Sequence, residues 1–175
     1  MLARQEALMD PASTPPPARA LITAAAAELL HRLRIRHGPV MFHQSGGCCD
    51  GSSPMCYPDG EFIVGDRDVL LGILEETPVW ISGPQFETWK HTQLVIDVVP
   101  GRGGGFSLEA PDGLRFLSRG RAFSASEVDS LAGVPPLTGA DYEQGVRPPV
   151  RTDLVVADGV DACQIPVRHA GAVQP

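Results

Sequence analysis

The stretch TQLVIDVVPGRGGGFSLEAPDGLRFL, residues 92–117, decides the fold class. Leu94 to Val99 is a run of branched apolar residues interrupted only by Asp97, and Pro100 closes it after too few residues for a helix. Such a run is a buried strand. Pro111-Asp112-Gly113 is a turn sequence, and Phe106–Glu109 and Leu114–Leu117 are expected to pair across it as a hairpin. The glycine run from Gly101 to Phe106 lacks both the Lys-Ser/Thr ending and the strand-to-helix setting of a nucleotide loop. A sharp turn between strands is expected there, with three adjacent glycines leaving space for a ligand.

Working upstream, Glu61–Val64, Val69–Leu74 and Val79–Ser82 read as strands punctuated by Gly65, Gly72 and Pro78. Gln85–His91 has room for one or two helical turns. Val40 and Phe42 alternate with Met41 and His43, the period of a short strand that runs into a glycine- and cysteine-rich loop, Ser45 to Pro58. Before it, Thr23 is placed to cap a helix whose apolar face is Ala26, Leu29, Leu30 and Leu33, and His37-Gly38-Pro39 ends it. Downstream, Ser124 with Glu127 forms a capping box for a last short helix. Residues 1–18 and 134–175 are proline-rich and lose the periodic apolar pattern. The first is expected to be a disordered arm and the second a mostly disordered extension. The expected unit is one α+β domain over residues 19–133, compact, β-rich and mostly antiparallel, with an N-terminal helix.

The chain's 175 residues suffice for one domain with a core, and its 19 glycines and 17 prolines favour turns and short strands over a helical bundle. A formal charge of −7 argues against electrostatic capture of nucleic acid or an anionic membrane. No apolar run is long enough to span a bilayer, and the N-terminus lacks the pattern of a secretory signal, so a cytoplasmic location is expected. Thiols stay reduced there.

That compartment gives the segment HQSGGCCDGSSPMCYP, residues 43–58, its interest. Three of the four cysteines, Cys48, Cys49 and Cys56, fall within nine positions. Soft thiolates favour zinc, copper(I) or iron–sulfur binding, and His43 widens the choice to zinc or mononuclear iron. Gly46, Gly47 and Gly51 allow the backbone to approach a bound group closely. The spacing is imperfect for a simple zinc site, because adjacent Cys48 and Cys49 tend to diverge and no second Cys-x-x-Cys pair exists. Redox thiol chemistry, a loop-stapling disulfide and plainly structural cysteines stay open as alternatives. Within the metal reading, Cys56 and one of the vicinal pair are expected to matter most. His43 is either a fourth ligand or a partner behind the ligands. The Glu87/His91 pair reads as a surface pair, His31 and His37 as exposed helix positions, and Cys163 and His169 receive no role.

The runs HGPVMFHQSGGCCDGSSPMCYP, DVLLG and WKHTQLVIDVVPGRGGGFSLE closely resemble an uncharacterised bacterial family of small domains of unknown function. Its members are often encoded beside aldehyde or alcohol dehydrogenase genes. The likeness covers roughly residues 20–130. A fainter resemblance, carried by the helix, the strand into Gly-Gly-Cys and the later glycine–Phe segment, is to HesB-like A-type iron–sulfur carriers. It implies a HesB-like fold with Cys48 as first cluster ligand. The two later cysteines of those carriers are absent here, where the sequence reads LRFLSRGR.

Together these readings give three expectations of function. The first is a metal- or iron–sulfur-binding accessory protein for aldehyde or alcohol oxidation, holding iron, zinc or a cluster through Cys48, Cys49, Cys56 and His43. Sharing of the group across a homodimer belongs to this reading. The second is a thiolate enzyme or redox sensor acting on aldehydes with His43 as base. The third is a non-catalytic subunit docked on a dehydrogenase through Trp80 or Trp89, although core burial suits those tryptophans better.

Overall fold

The computed structural model describes residues 15–44, 46, 53–102 and 105–156. Strand β1 (Ala20–Thr23) leads directly into helix α1 (Ala24–His37). Thr23 ends the strand and caps the helix, its hydroxyl accepting the Ala26 N–H at 3.3 Å. Gly38, at φ 80°, closes the helix with its N–H on the Arg34 carbonyl. Strands β2 (Val40–Gln44), β3 (Pro54–Pro58), β4 (Val69–Leu74) and β5 (Thr77–Ile81) follow, then α2 (Gly83–Trp89) and β6 (Thr92–Pro100). A 3-10 turn at Ala110–Asp112 precedes β7 (Leu114–Ala122), α3 (Ala125–Ala132), α4 (Gly139–Glu143) and the two-residue β8 (Val155–Val156).

The strands form two sheets of four, sheet A in the order β7-β6-β1-β8 and sheet B in the order β3-β2-β5-β4. The longest ladder, β6 with β7, is antiparallel over nine residue pairs, whereas the parallel ladders β1–β6, β2–β5 and β1–β8 run for two or three. The α+β, mostly antiparallel expectation therefore holds. The main core lies between the two sheets and α1, where Ile22, Leu29, Leu30, Leu33, Phe42, Leu74, Val79, Ile96 and Phe116 are fully buried. Asp97, the one polar residue of the β6 run, has its own partners. Thr23 Oγ1 donates to it at 2.9 Å and Arg119 Nε at 2.7 Å. Burial works to raise its pKa, but those hydrogen bonds, with one from the Val98 N–H, hold the carboxyl below the ordinary range. No helix among the described residues is long and apolar enough to cross a membrane.

Several elements depart from expectation. The loop expected over 45–58 contains β3, which pairs antiparallel with β2 from Val40↔Pro58 to Gln44↔Pro54. Glu61–Val64 is not a strand. Its alternation arises because Phe62 and Val64 pack onto the outer face of sheet B while Ile63 points to water, 88% exposed. Phe106–Glu109 does not pair as a hairpin with Leu114–Leu117: β7 pairs with β6, and Ser107 and Leu108 bond the backbone of Cys56 in β3 instead.

The largest departure concerns the boundary at residue 133. Parts of residues 134–156 pack on the domain. Leu137 accepts the Leu70 N–H at 2.8 Å, Thr138 bridges to Val69, and Tyr142 meets Trp80 edge-on at 5.3 Å. Thr138 and Asp141 form a second capping box at the start of α4. Gly139 is held so close to Gly65 that a Cβ would lie 2.2 Å from its carbonyl oxygen, so only glycine fits. Leu154 is buried in the main core, and its carbonyl accepts the Ile22 N–H at 3.0 Å. Composition misleads here because these contacts come from single residues and from elements of five and two residues, α4 and β8, too short to show a period.

Two outcomes follow for stability. Leu154→Ala should cost about 2–3 kcal/mol in denaturant unfolding, as for other buried leucines; a change within error would show that the wrap contributes nothing. The β4–β5 turn places Glu75 (φ 45°) and Glu76 (φ 62°) in the left-handed region, where side chains other than Asn and Gly are strained. Glu75→Asn leaves the carbonyl that Arg34 binds and should raise stability by about 0.5–1 kcal/mol in the same measurement.

Candidate functional site

The alternation of β2 divides the chemistry of the cysteine-rich segment between two faces. Val40, Phe42 and Gln44 point into the main core, and Met41 and His43 to the outer face of sheet B. In the β2–β3 register Phe42 stands opposite Cys56 and His43 opposite Met55. Cross-strand partners share a face. Cys56 therefore projects inward with Phe42 while His43 projects outward. The two side chains leave opposite faces of one sheet and cannot meet on a single ion.

Cys56 is fully buried. Its N–H donates to Ser107 Oγ at 2.9 Å and its carbonyl accepts the Leu108 N–H at 3.0 Å. Ser107 in turn donates to the Glu109 carboxylate, which also accepts the Phe116 N–H at 3.2 Å. Segment 107–109 thus ties β3 of sheet B to β7 of sheet A. Burial pushes the Cys56 thiol far above its usual range, and the nearby Glu109 carboxylate adds to the shift. Burial also raises Glu109, against the hydrogen bonds it accepts. A thiol so held resists becoming the thiolate that binds metal or attacks a carbonyl. This argues against the expected leading role of Cys56 as a ligand.

His43 lies in a different setting. Its Nε2 is 3.3 Å from Asp68 Oδ2, and its ring is tilted over Phe62 at 4.4 Å, with Tyr57 stacked beyond at 5.0 Å. Asp68 is itself fixed: Oδ2 accepts the Gly65 N–H at 2.9 Å, and the Asp68 carbonyl accepts the Gly139 N–H at 2.8 Å. An ionised carboxylate only accepts, so Nε2 is the donor in this pair, and in the neutral form of the ring Nδ1 keeps a lone pair. The arrangement orients a histidine for metal ligation or for taking a proton. On the same face the Tyr57 hydroxyl donates to the Met55 thioether at 3.2 Å.

Of the other expected residues, Gly46 lies beside α2, where a Cβ would meet Gln85 Oε1 at an ordinary 3.5 Å. Gly47, Cys48, Cys49 and Gly51 fall outside the described residues, as do Cys163 and His169. Among the described residues no group of three His, Cys, Asp or Glu side chains is placed to hold a metal ion. Trp80 is buried beneath Tyr142, and Glu87 pairs with Lys90 at 2.8 Å. Asp68, Phe62, Ser107 and Glu109 escape sequence reasoning. The one available signal was Glu109, a lone charge inside the apolar stretch before the turn.

Fold and site together define a mixed α+β domain of two sheets, whose cysteine-rich β2–β3 connection begins beside a fixed histidine–carboxylate pair. The chain belongs to the family described as Domain of unknown function (DUF779), matched over residues 29–122. That span runs from within α1 to the end of β7 and leaves β1, α3, α4 and β8 outside it. No curated protein and no solved structure matches the chain.

The contrast between the faces is measurable. In the native protein Cys56 should resist iodoacetamide from pH 7 to 9 and react only on unfolding, as followed by peptide mass spectrometry. Rapid native alkylation at Cys56 would show that its strand opens.

Proposed function

We propose that this chain is an accessory protein of aldehyde or alcohol oxidation that binds a soft metal ion or an iron–sulfur cluster through Cys48, Cys49 and His43. The observation that carries the reading is the His43–Asp68 pair, because a carboxylate-held imidazole is the usual company of a metal site. Cys48 and Cys49 follow His43 by five and six residues in a connection with three glycines and no bulky side chain between Ser45 and Ser53. Cys56 is left out of the ligand set, its thiol being turned into the core. The pairing of β3 with β2 then anchors the far end of the connection.

The same pair favours a second reading, in which His43 takes the proton of a loop cysteine and the thiolate reacts with an aldehyde or an oxidant. Metal and sulfide analysis of anaerobically purified protein separates the two. Wild type and Cys56→Ser should retain about one metal or cluster per chain. The Cys48→Ser/Cys49→Ser variant should retain none, and His43→Ala should bind about 10- to 100-fold more weakly. Retention should weaken as pH falls, since thiolate ligands must lose protons to bind. A metal-free wild type with one rapidly alkylated loop cysteine would replace this reading with the thiolate one.

A further inference from the structure

A cleft of about 260 Å³ opens between the edge strand β4 and the segments that flank the family-matched residues. One wall is Pro16 to Ala20, and the opposite wall runs from Leu131 to Leu154. The lining is largely leucine, isoleucine, valine, alanine and proline. Its depth comes from Gly72 in β4. Gly72 stands opposite Val79, a residue of the main core, so its missing side chain faces inward, and a Cβ there meets no heavy atom within 4 Å. The fold leaves a space here that any larger residue would fill.

Three arginines line this apolar space, and two of them carry charge that no carboxylate among the described residues neutralises. Arg151 pairs with Asp153 at 2.7 Å. Arg19 spends only Nη2, on the carbonyls of Leu131 and Val134 at 3.4 and 3.3 Å. Arg147 spends only Nη1, on the carbonyls of Tyr142 and Val146 at 2.6 and 2.9 Å, with its guanidinium over the Tyr142 ring at 3.5 Å. Each keeps three N–H donors without a partner among the described residues. Carbonyls position a guanidinium but leave its charge intact. Burial lowers the pKa of half-buried Arg19, a sign that this cation lacks compensation. In a chain of formal charge −7, two uncompensated cations at one apolar opening form a local anion site.

We propose that this cleft binds a small organic monoanion with an apolar body, a medium-chain or aromatic carboxylate of roughly ten non-hydrogen atoms. The apolar walls take the hydrocarbon part, and the free N–H groups of Arg19 and Arg147 take the carboxylate. Its two facing walls lie outside residues 29–122 and its floor, β4, lies within them, so the site is built by adding flanking segments to the family domain and does not use the cysteine segment.

Titration calorimetry of the full chain with sodium octanoate tests this, with 1-octanol as the uncharged counterpart. Octanoate should bind with one site per chain and raise the melting temperature, and octanol should bind about tenfold more weakly. Arg147→Gln should weaken octanoate about tenfold and leave octanol unchanged. Gly72→Leu should abolish both while keeping the melting temperature of the free protein at or above that of wild type. If Gly72→Leu unfolds, Gly72→Val serves the same purpose with less bulk. Equal affinity for octanoate and octanol would overturn the anion assignment. No heat with millimolar octanoate, or undiminished binding by the filled variants, would overturn the site. Self-association that octanoate does not affect and that Gly72→Leu removes would assign the cleft to a second copy of the chain instead.

Discussion

The edge-to-face contact of Phe42 and Phe116, with ring centroids 4.8 Å apart, joins the two sheets. Phe42 belongs to β2 of sheet B and Phe116 to β7 of sheet A, and both are fully buried. Once Phe42 points inward, the period of two fixes every other residue of β2. Met41 and His43 must face outward, and Gln44 must face inward, where it accepts the Ser118 hydroxyl at 2.7 Å. The antiparallel register then carries the same decision into β3 and turns Cys56 away from His43. A single aromatic contact thus sorts the sulfur and imidazole of one motif onto separate faces.

Much of this architecture was legible in the sequence. The capping residues Thr23 and Ser124, the apolar face of α1, β4 and β6 follow from local patterns that the tertiary structure merely uses. What escaped was what depends on partners far along the chain. Beta1 has four residues, too few for a period to show, and exists because β6 lies alongside it. Thr138-Gly-Ala-Asp141 carried a readable cap, but the short helix it opens is stabilised by Trp80 and the Gly65 carbonyl, which no local rule connects to it. For the candidate site, the sequence singled out His43 and the strand that carries it, β2. It offered no way to see that Asp68 would be the histidine's partner, or that Cys56 would be the cysteine of the motif that belongs to the core.

The buried charges show how the same residue type serves different ends. Asp97 is surrounded by donors, among them a guanidinium, and its negative charge is stabilised where β6 packs against β1 and α1. Glu109 has a hydroxyl and one backbone N–H but no cation, so its desolvation is only partly offset. It fastens β3 to β7 at the cost of raising the thiol beside it. Arg19 and Arg147 beside the apolar cleft are the opposite case, positive groups seated on neutral carbonyls.

The strand order also governs when each sheet becomes available during synthesis. Sheet B uses residues 40–81 and has all its strands once Ile81 has emerged. Sheet A has to wait. Beta1 is made first, yet its partner β6 begins at Thr92 and its other neighbour β8 only at Val155. Until then the four buried residues of β1 present an open edge on the nascent chain, joined through α1 to a sheet that is already complete. Pairings of such long separation carry the largest loop-closure entropy and form late. The apolar edge of β1 is therefore the part of this protein most exposed to mispairing before synthesis ends.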